Sequence, residues 1–210
     1  MAIHQPDLLP YSGFWFKMAR ADTFVVAVHD QFQKHGYQRR VRMRETWVSH
    51  QLIGKPALCP ISEVVVQPGW QGRLVDAIRG RYATARYWRE RGPALCAGIE
   101  ACSGESLVDV NVALIELVRP LLGITTPLVV TEPPVGQGVD RLIEVVTAVG
   151  GTSYLSGTGG RAYMGDDPEA RFADAGLALE WSHHAPATGD SVVTVLLDSD
   201  DPAEVVRRDG

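Results

Sequence analysis

Cysteine is scarce in this chain of 210 residues. Its 3 cysteines are an odd number and form no Cys-x-x-Cys pair, which argues against a disulfide framework and against a zinc cluster. His183 and His184 are adjacent, so on a strand they would point to opposite faces and would rarely share one metal ion. We therefore expect no metal, and a reducing, cytoplasmic location.

Long apolar runs and an excess of basic charge are also missing. No stretch approaches the roughly 20 apolar residues that a membrane span needs. His4 and Gln5 interrupt the N-terminal segment where a signal peptide would be apolar. The formal net charge of −5 argues against general nucleic-acid binding, although it is compatible with a local basic groove. Hydrophobic residues make up 45% of the chain, which is enough for a globular core.

What the chain does contain is an alternation of apolar runs and helical patterns. A capping-box-like Ser106-x-x-Asp109 begins the strongest predicted helix, which runs from Leu107 to about Leu121. The other predicted helices cover residues 14–21, 70–82, 87–101 and 139–149. The predicted strands cover residues 1–6, 23–28, 47–53, 61–66, 127–131, 153–155, 178–181 and 191–197.

This alternation predicts the α/β class, and within it a Rossmann-like layered fold with a mainly parallel sheet flanked by helices. We expect residues 1–182 to form a single α/β domain. Residues 183–210 are expected to form a divergent C-terminal strand and tail.

Polar residues follow the first two predicted strands. His4-Gln5 ends the first strand and His29-Asp30-Gln31 ends the second, with one short helix between them. In a parallel sheet such ends lie side by side and bind ligands. We therefore take His4 as a candidate base, Asp30 as the residue that orients it or holds a substrate amine, and Lys34 as a contact for phosphate or carboxylate. A histidine that hydrogen-bonds within the turn before Pro6 would explain His4 equally well. An exposed connection after the second strand would equally explain Asp30 and Lys34.

Two further segments are candidates for binding anions. Residues 37–44 form a basic strip, of which Arg40 is the candidate ligand contact, whereas Arg42 and Arg44 fit a solvated face. Residues 156–160 form a glycine-rich turn in which backbone N–H groups could approach an anion. The turn fits neither a Walker A loop nor a Rossmann glycine motif, so a plain tight turn is the simpler interpretation.

Several of these motifs together resemble the WbqC-like family over roughly residues 3–182. They are Ile3-His4-Gln5-Pro6, Leu9-Pro10-Tyr11-x-Gly13-Phe14, Lys17-Met18-Ala19, Gln31-Phe32-x-Lys34, Gln38-x-Arg40 and Tyr154-Leu155-Ser156-Gly157-x-Gly159-Gly160-x-x-Tyr163. The resemblance marks a set of substrate-binding candidates: Gln5, Tyr11, Gln31, Lys34, Arg40, Ser156, Gly157, Gly159, Gly160 and Tyr163. The chain departs from the family pattern at Val28-His29-Asp30, at Arg39, and over residues 185–210.

The resemblance implies a biosynthetic role, because family members occur near genes for O-antigen and in specialised-metabolite clusters. The composition, rich in Ala, Val, Gly and Arg, is typical of a high-GC bacterium and favours specialised metabolism. The leading hypothesis is transfer of an acyl or aminoacyl group to an amine or hydroxyl acceptor, such as an amino sugar or a natural-product intermediate. A nucleotide-dependent enzyme using ATP or CTP and a non-catalytic small-molecule-binding protein are the alternatives. The donor and the oligomeric state stay open.

Overall fold

The computed structural model describes residues 1–184 and 189–208, and it begins with one βαβ unit. Strand β1 (Ala2–His4) is followed by helix α1 (Ser12–Ala19) and strand β2 (Phe24–Val26). The strands pair in parallel, with Ala2 opposite Phe24 and His4 opposite Val26. Both strands are short apolar segments with buried residues, as the sequence predicts for a parallel sheet.

Five parallel strands follow one another in the order β7-β6-β1-β2-β5. β5 (Leu128–Val129) pairs with β2, and β6 (Ser153–Gly157) pairs with β7 (Ala178–Ser182), which gives small sheets of three and two strands. Two backbone bonds connect them: the Met1 amine donates to Ser153 O at 3.0 Å, and Leu155 N donates to Met1 O at 2.8 Å. This is the bonding of a parallel pair with Met1 opposite Tyr154.

Helices cover both faces of these strands. Because successive strand residues point to opposite faces, Ala2 and Phe24 join one hydrophobic cluster while Ile3 and Val25 join another. The first cluster contains side chains of α1, α2 (Trp70–Tyr82), α3 (Trp88–Ala101) and α4 (Leu107–Val118). The second contains side chains of α5 (Gly138–Ala148), α6 (Arg161–Met164) and α7 (Pro168–Asp174). The predicted mixed α/β class, with small parallel sheets flanked by helices, is confirmed.

An antiparallel hairpin of β3 (Arg40–Met43) and β4 (Thr46–Ser49) packs beside this layered core. Arg44 and Glu45 form its turn with φ values of 51° and 62°, as a tight hairpin turn requires. Val41 and Met43 are buried in the first cluster, so the alternate residues of β3 face outward. The predicted strand 47–53 is thus found only in part.

Two strand predictions are wrong. Residues 61–66 contain a 3₁₀ turn at Ile61–Glu63 and isolated bridge residues in place of a strand. Residues 191–197 form helix α8 (Val192–Asp198), followed by α9 (Pro202–Arg207). Ser191 begins α8 because its hydroxyl accepts a hydrogen bond from Val193 N. All of Val192–Leu197 is buried, and a run of this length that is apolar except for Thr194 fits a buried helix as well as a strand.

In the described part of the chain, no helix is both long enough and apolar enough to cross a membrane.

Candidate functional site

His4 is the last residue of β1 and keeps 28% of its side chain exposed. Its Nδ1 lies 3.0 Å from the carbonyl oxygen of Gln5, and since a carbonyl only accepts, Nδ1 carries the proton. Nε2 is therefore the acceptor of the ring. The ring meets Phe14 edge-on, with 5.0 Å between centroids, so α1 fixes its orientation.

Two buried charged residues that the sequence analysis did not select lie beside His4. Asp7 is 6% exposed, and its Oδ2 lies 3.7 Å from Nδ1 of His4. Lys17 is 7% exposed and donates from Nζ to the carbonyl oxygen of Ile3 at 2.8 Å. A lysine on α1 between Phe14, Trp15, Phe16 and Met18 is the sequence signal that could have found this cluster, because charged residues are rarely buried without a role or a partner.

The three side chains of this cluster, His4, Asp7 and Lys17, have strongly shifted pKa values. Burial raises the pKa of Asp7 to about 7, with the positive charge of Lys17 acting against the shift. Burial likewise lowers the pKa of Lys17 to about 8, opposed by the charge of Asp7. Burial and the Lys17 charge lower the pKa of His4 to about 3. Near neutral pH His4 is therefore uncharged, while Asp7 and Lys17 both lie close to their titration points.

Tyr11 lies at the exposed edge of this cluster. It immediately precedes α1 and is 38% exposed. Burial raises the pKa of Tyr11, and the charges of Asp7 and Tyr37 raise it further, so its hydroxyl lies in the field of both. A Cβ at Gly13 would lie 2.6 Å from Cε2 of Tyr11. Gly13 thus leaves room for the Tyr11 ring beside the first turn of α1.

A polar network connects the ends of β1 and β2. Gln5 Nε2 donates to Asp30 Oδ2 at 2.8 Å, and Arg141 of α5 forms an ion pair with Oδ1 of Asp30. Gln38, which is fully buried, donates from Nε2 to Gln5 Oε1 at 2.8 Å and to Gln31 O at 3.3 Å. The structure thus brings Asp30 to Gln5, the residue after His4, and to Arg141.

The other cationic candidates lie farther out on the loop and the hairpin. Lys34 is exposed. Arg40 begins β3, donates to His35 O at 2.6 Å, and places its guanidinium carbon 4.1 Å from the ring centroid of Trp47. These contacts hold Arg40 at the outer surface of the hairpin.

The glycine-rich segment, residues 156–160, begins with the last two residues of β6 and continues into a 3₁₀ turn at Thr158–Gly160. Gly157 and Gly159 have no positive φ, and a Cβ at either would meet open space, so neither is required by strain or packing. Gly160 differs, because a Cβ there would collide with the buried Ser156 hydroxyl. Tyr163 belongs to α6, but its side chain lies outside the described part of the chain.

His4 is the last residue of β1 and Gly157 is the last residue of β6, and these two strands are neighbours. Continuing the register that places Met1 opposite Tyr154 brings His4 level with Gly157. The helices that follow the two strands pack on opposite faces: Phe14 of α1 lies in the first cluster and Met164 of α6 in the second. Where connections diverge in this way, a crevice opens at the carboxyl ends of the strands.

A cavity of about 640 Å³ lies between α1 and the neighbouring face of β6 and β7. Its lining includes Met1 and Ser153, which are at the start of their strands, together with Arg20 and Glu180. Along β7 the lining extends to Ser182 and His183, and Ser182 pairs with Gly157, so one end of the cavity reaches the carboxyl ends of these strands. It does not include the buried cluster of His4, Asp7 and Lys17.

The fold and the site define an α/β protein with a buried group of titratable side chains at the carboxyl ends of its parallel strands. Residues 5–188 match the sequence model of the WbqC-like protein family, and the chain belongs to that family. No curated protein and no solved structure matches the chain. The family match ends before α8 and α9.

Proposed function

We propose that this chain is a biosynthetic transferase of Rossmann-like architecture that moves an acyl or aminoacyl group to an amine or hydroxyl acceptor. The strand order β7-β6-β1-β2-β5 supports the architecture. If these five strands are numbered 1 to 5 along the chain, their order in space is 5-4-1-2-3, which read from the other edge is the 3-2-1-4-5 order of doubly wound sheets. The family match covers Asp7, Lys17 and residues 156–160. The acceptor in this proposal is an amino sugar or a natural-product intermediate in a bacterium.

The observation that carries the proposal is the pair of Asp7 and Lys17. An amine acceptor attacks only after losing a proton, and the best general base has a pKa near the working pH. Asp7, with a pKa of about 7, meets this condition, and 9% of its side chain is exposed beside the more open His4. His4, with a pKa of about 3, is a weak base, so we give it the role of accepting a hydrogen bond from the acceptor through Nε2.

The transfer then balances as follows. The acceptor nitrogen or oxygen forms a bond to the carbonyl carbon, and its proton passes to the Asp7 carboxylate. The bond from that carbon to the leaving sulfur or oxygen breaks, and Asp7 returns the proton to the leaving group. The Lys17 charge stabilises the ionised form of Asp7. Asp30 positions Gln5 against the acceptor.

The loop after β6 supplies the anion contacts in this proposal. The open space at Gly157 and Gly159 supports close approach of a ligand to the backbone N–H groups, which could hold a phosphate or an oxyanion. Ser156, Gly160 and Tyr163 belong to the same segment.

A nucleotide-dependent enzyme is the second candidate. The arrangement of β1, His4, a turn, α1 and β2 supports it, because such a turn can hold nucleotide phosphates. A thermal-shift screen with ATP and CTP separates the candidates: stabilisation that is followed by adenylate or nucleotidyl products would favour this one. Retention of a substrate without turnover would favour the third candidate, a non-catalytic binding protein.

The test is a transfer assay read by mass spectrometry. Acyl thioesters and aminoacyl adenylates are offered as donors to amino sugars and to small amines. We expect the wild-type chain to form an amide or ester product and Asp7→Asn to lose roughly 100-fold in rate. The matched control is Asp76→Asn, which changes an exposed carboxylate on α2 and should keep the wild-type rate. Equal rates for Asp7→Asn and Asp76→Asn would overturn the assignment of the base.

A further inference from the structure

The outer face of the β3–β4 hairpin carries an unusual set of side chains. Arg42 lies directly across from Trp47 in the strand register, and Arg40 lies across from Ser49, so both arginines and the tryptophan share one face. Trp47 is 42% exposed and Tyr37 is 51% exposed, with 5.8 Å between their ring centroids. Large aromatic surfaces exposed together in this way are typical of binding sites.

We propose that this face binds the nucleoside phosphate part of the donor substrate. The inference rests on the proposed function and deepens it, because activated acyl donors, aminoacyl adenylates and sugar nucleotides all carry a planar base joined to phosphate. The base stacks on Tyr37 and on the part of the Trp47 ring that the Arg40 guanidinium, 4.1 Å from the ring centroid, leaves open. The phosphates meet Arg40 and Arg42.

Charge complementarity favours an anionic occupant. Between residues 34 and 49 the chain has five lysines and arginines but a single acidic residue, Glu45, which lies in the hairpin turn. Arg44 is committed to an ion pair with Asp198. Arginine binds phosphate with two parallel hydrogen bonds, and nucleobases of any sequence stack on exposed aromatic rings.

The face is continuous with the buried cluster of His4, Asp7 and Lys17. Leu8 N donates to the carbonyl oxygen of Tyr37 at 3.0 Å, which fixes the loop after β1 to the start of the hairpin segment. Tyr11 lies close enough to both Tyr37 and Asp7 for their charges to act on its hydroxyl. A donor stacked on Trp47 would thus extend its reactive end toward Asp7.

Calorimetric titration of the full chain with ADP tests the inference, with UDP and coenzyme A as parallel arms that identify the base and the donor type. We expect ADP to bind the wild-type chain and Trp47→Ala to weaken binding about tenfold or more, since each stacked base contributes that much. Arg42→Gln should weaken ADP and pyrophosphate alike. The control Arg89→Gln, an exposed arginine of α3, should stay within about twofold of wild type. Absence of ADP, UDP and coenzyme A binding, or equal binding by Trp47→Ala, would overturn the inference.

A comparison of two donors separates this inference from the transfer reaction itself. A coenzyme A thioester carries the nucleoside phosphate, whereas a short N-acetylcysteamine thioester lacks it. We expect Trp47→Ala to raise KM for the first donor and to leave the second unchanged. Transfer from both donors with no effect of Trp47→Ala would refute the hairpin site alone. Nucleotide binding without any transfer would refute the reaction alone.

Discussion

Replacing Asp7 with asparagine is expected to change how stability depends on pH. Asp7 is 6% exposed, and burial raises its pKa from 3.8 to about 7. Below pH 3.8 the group is protonated in both the folded and the unfolded chain. Between pH 3.8 and about 7 the unfolded chain ionises while the folded chain keeps its proton, so the folded state loses stability as pH rises. An asparagine does not titrate, so the variant lacks this loss.

The size of the effect follows from the shift in pKa. A change from 3.8 to about 7 is roughly three units, and each unit corresponds to about 1.4 kcal/mol, so the full loss is about 4 kcal/mol. The difference in unfolding free energy, Asp7→Asn minus wild type, should therefore grow by up to about 4 kcal/mol from pH 4 to pH 7 and then level off. Lys17 affects stability over a different pH range. Its pKa is lowered from 10.5 to about 8, so between these values the folded chain has lost the proton that the unfolded chain keeps, and stability rises with pH.

Urea denaturation at steps between about pH 4 and pH 8 measures this difference directly. Asp76→Asn serves as the control, because it replaces an exposed carboxylate and should run parallel to wild type at every pH. If the Asp7→Asn and wild-type curves also run parallel from pH 4 to pH 7, the folded-state pKa of Asp7 is ordinary. Asp7 would then be fully ionised near neutral pH and too weak a base for the proposed role.

Three other substitutions have definite expected outcomes. Arg141→Met leaves the carboxylate of Asp30, which is 13% exposed, without its ion pair and should cost about 1–3 kcal/mol in urea unfolding, with partial recovery on adding Asp30→Asn. Gly160→Ala should lower the melting temperature because its Cβ meets the Ser156 hydroxyl, whereas Gly159→Ala should not. Ser106→Ala removes the hydrogen bond to Asp109 N and should cost about 1 kcal/mol. An Arg141→Met variant as stable as wild type would contradict the ion pair with Asp30. Equal melting temperatures for the two glycine variants would contradict the contact between Gly160 and Ser156. An unchanged unfolding free energy of Ser106→Ala would contradict the hydrogen bond to Asp109.

The sequence predicts correctly those helices and strands that depend on interactions between residues close together in the chain. Helix α4 begins where the sequence places it, because the Ser106 hydroxyl accepts from Asp109 N as the capping pattern requires. β1 and β2 were predicted from short apolar runs on either side of a helix. Residues 191–197 were predicted as a strand because β-branched valines favour strands, and nothing local reveals that this segment is enclosed on all sides.

The buried cluster of His4, Asp7 and Lys17 could not be predicted from the sequence, because it depends on tertiary packing that no short stretch of sequence shows. Asp7, between Pro6 and Leu8, looks like an ordinary turn residue, and its pKa is raised only because the folded chain buries it. Lys17 lies on the apolar face of α1, yet its hydrogen bond to Ile3 O requires the tertiary contact with β1. The same holds for Asp30, whose partner Arg141 is 111 residues away.

Mapping of amide chemical shifts tests the central claim most directly, which is that the substrate site lies where β1 and β6 end. The ¹⁵N-labelled chain is titrated with a coenzyme A thioester, with an aminoacyl-adenylate analogue and with ATP. We predict shifts in residues 5–11 and 156–160, and further shifts in residues 37–47 from the nucleoside part that all three compounds carry. Shifts confined to the lining of the cavity that includes Arg20 and Glu180, or no shifts with any of the three compounds, would contradict it.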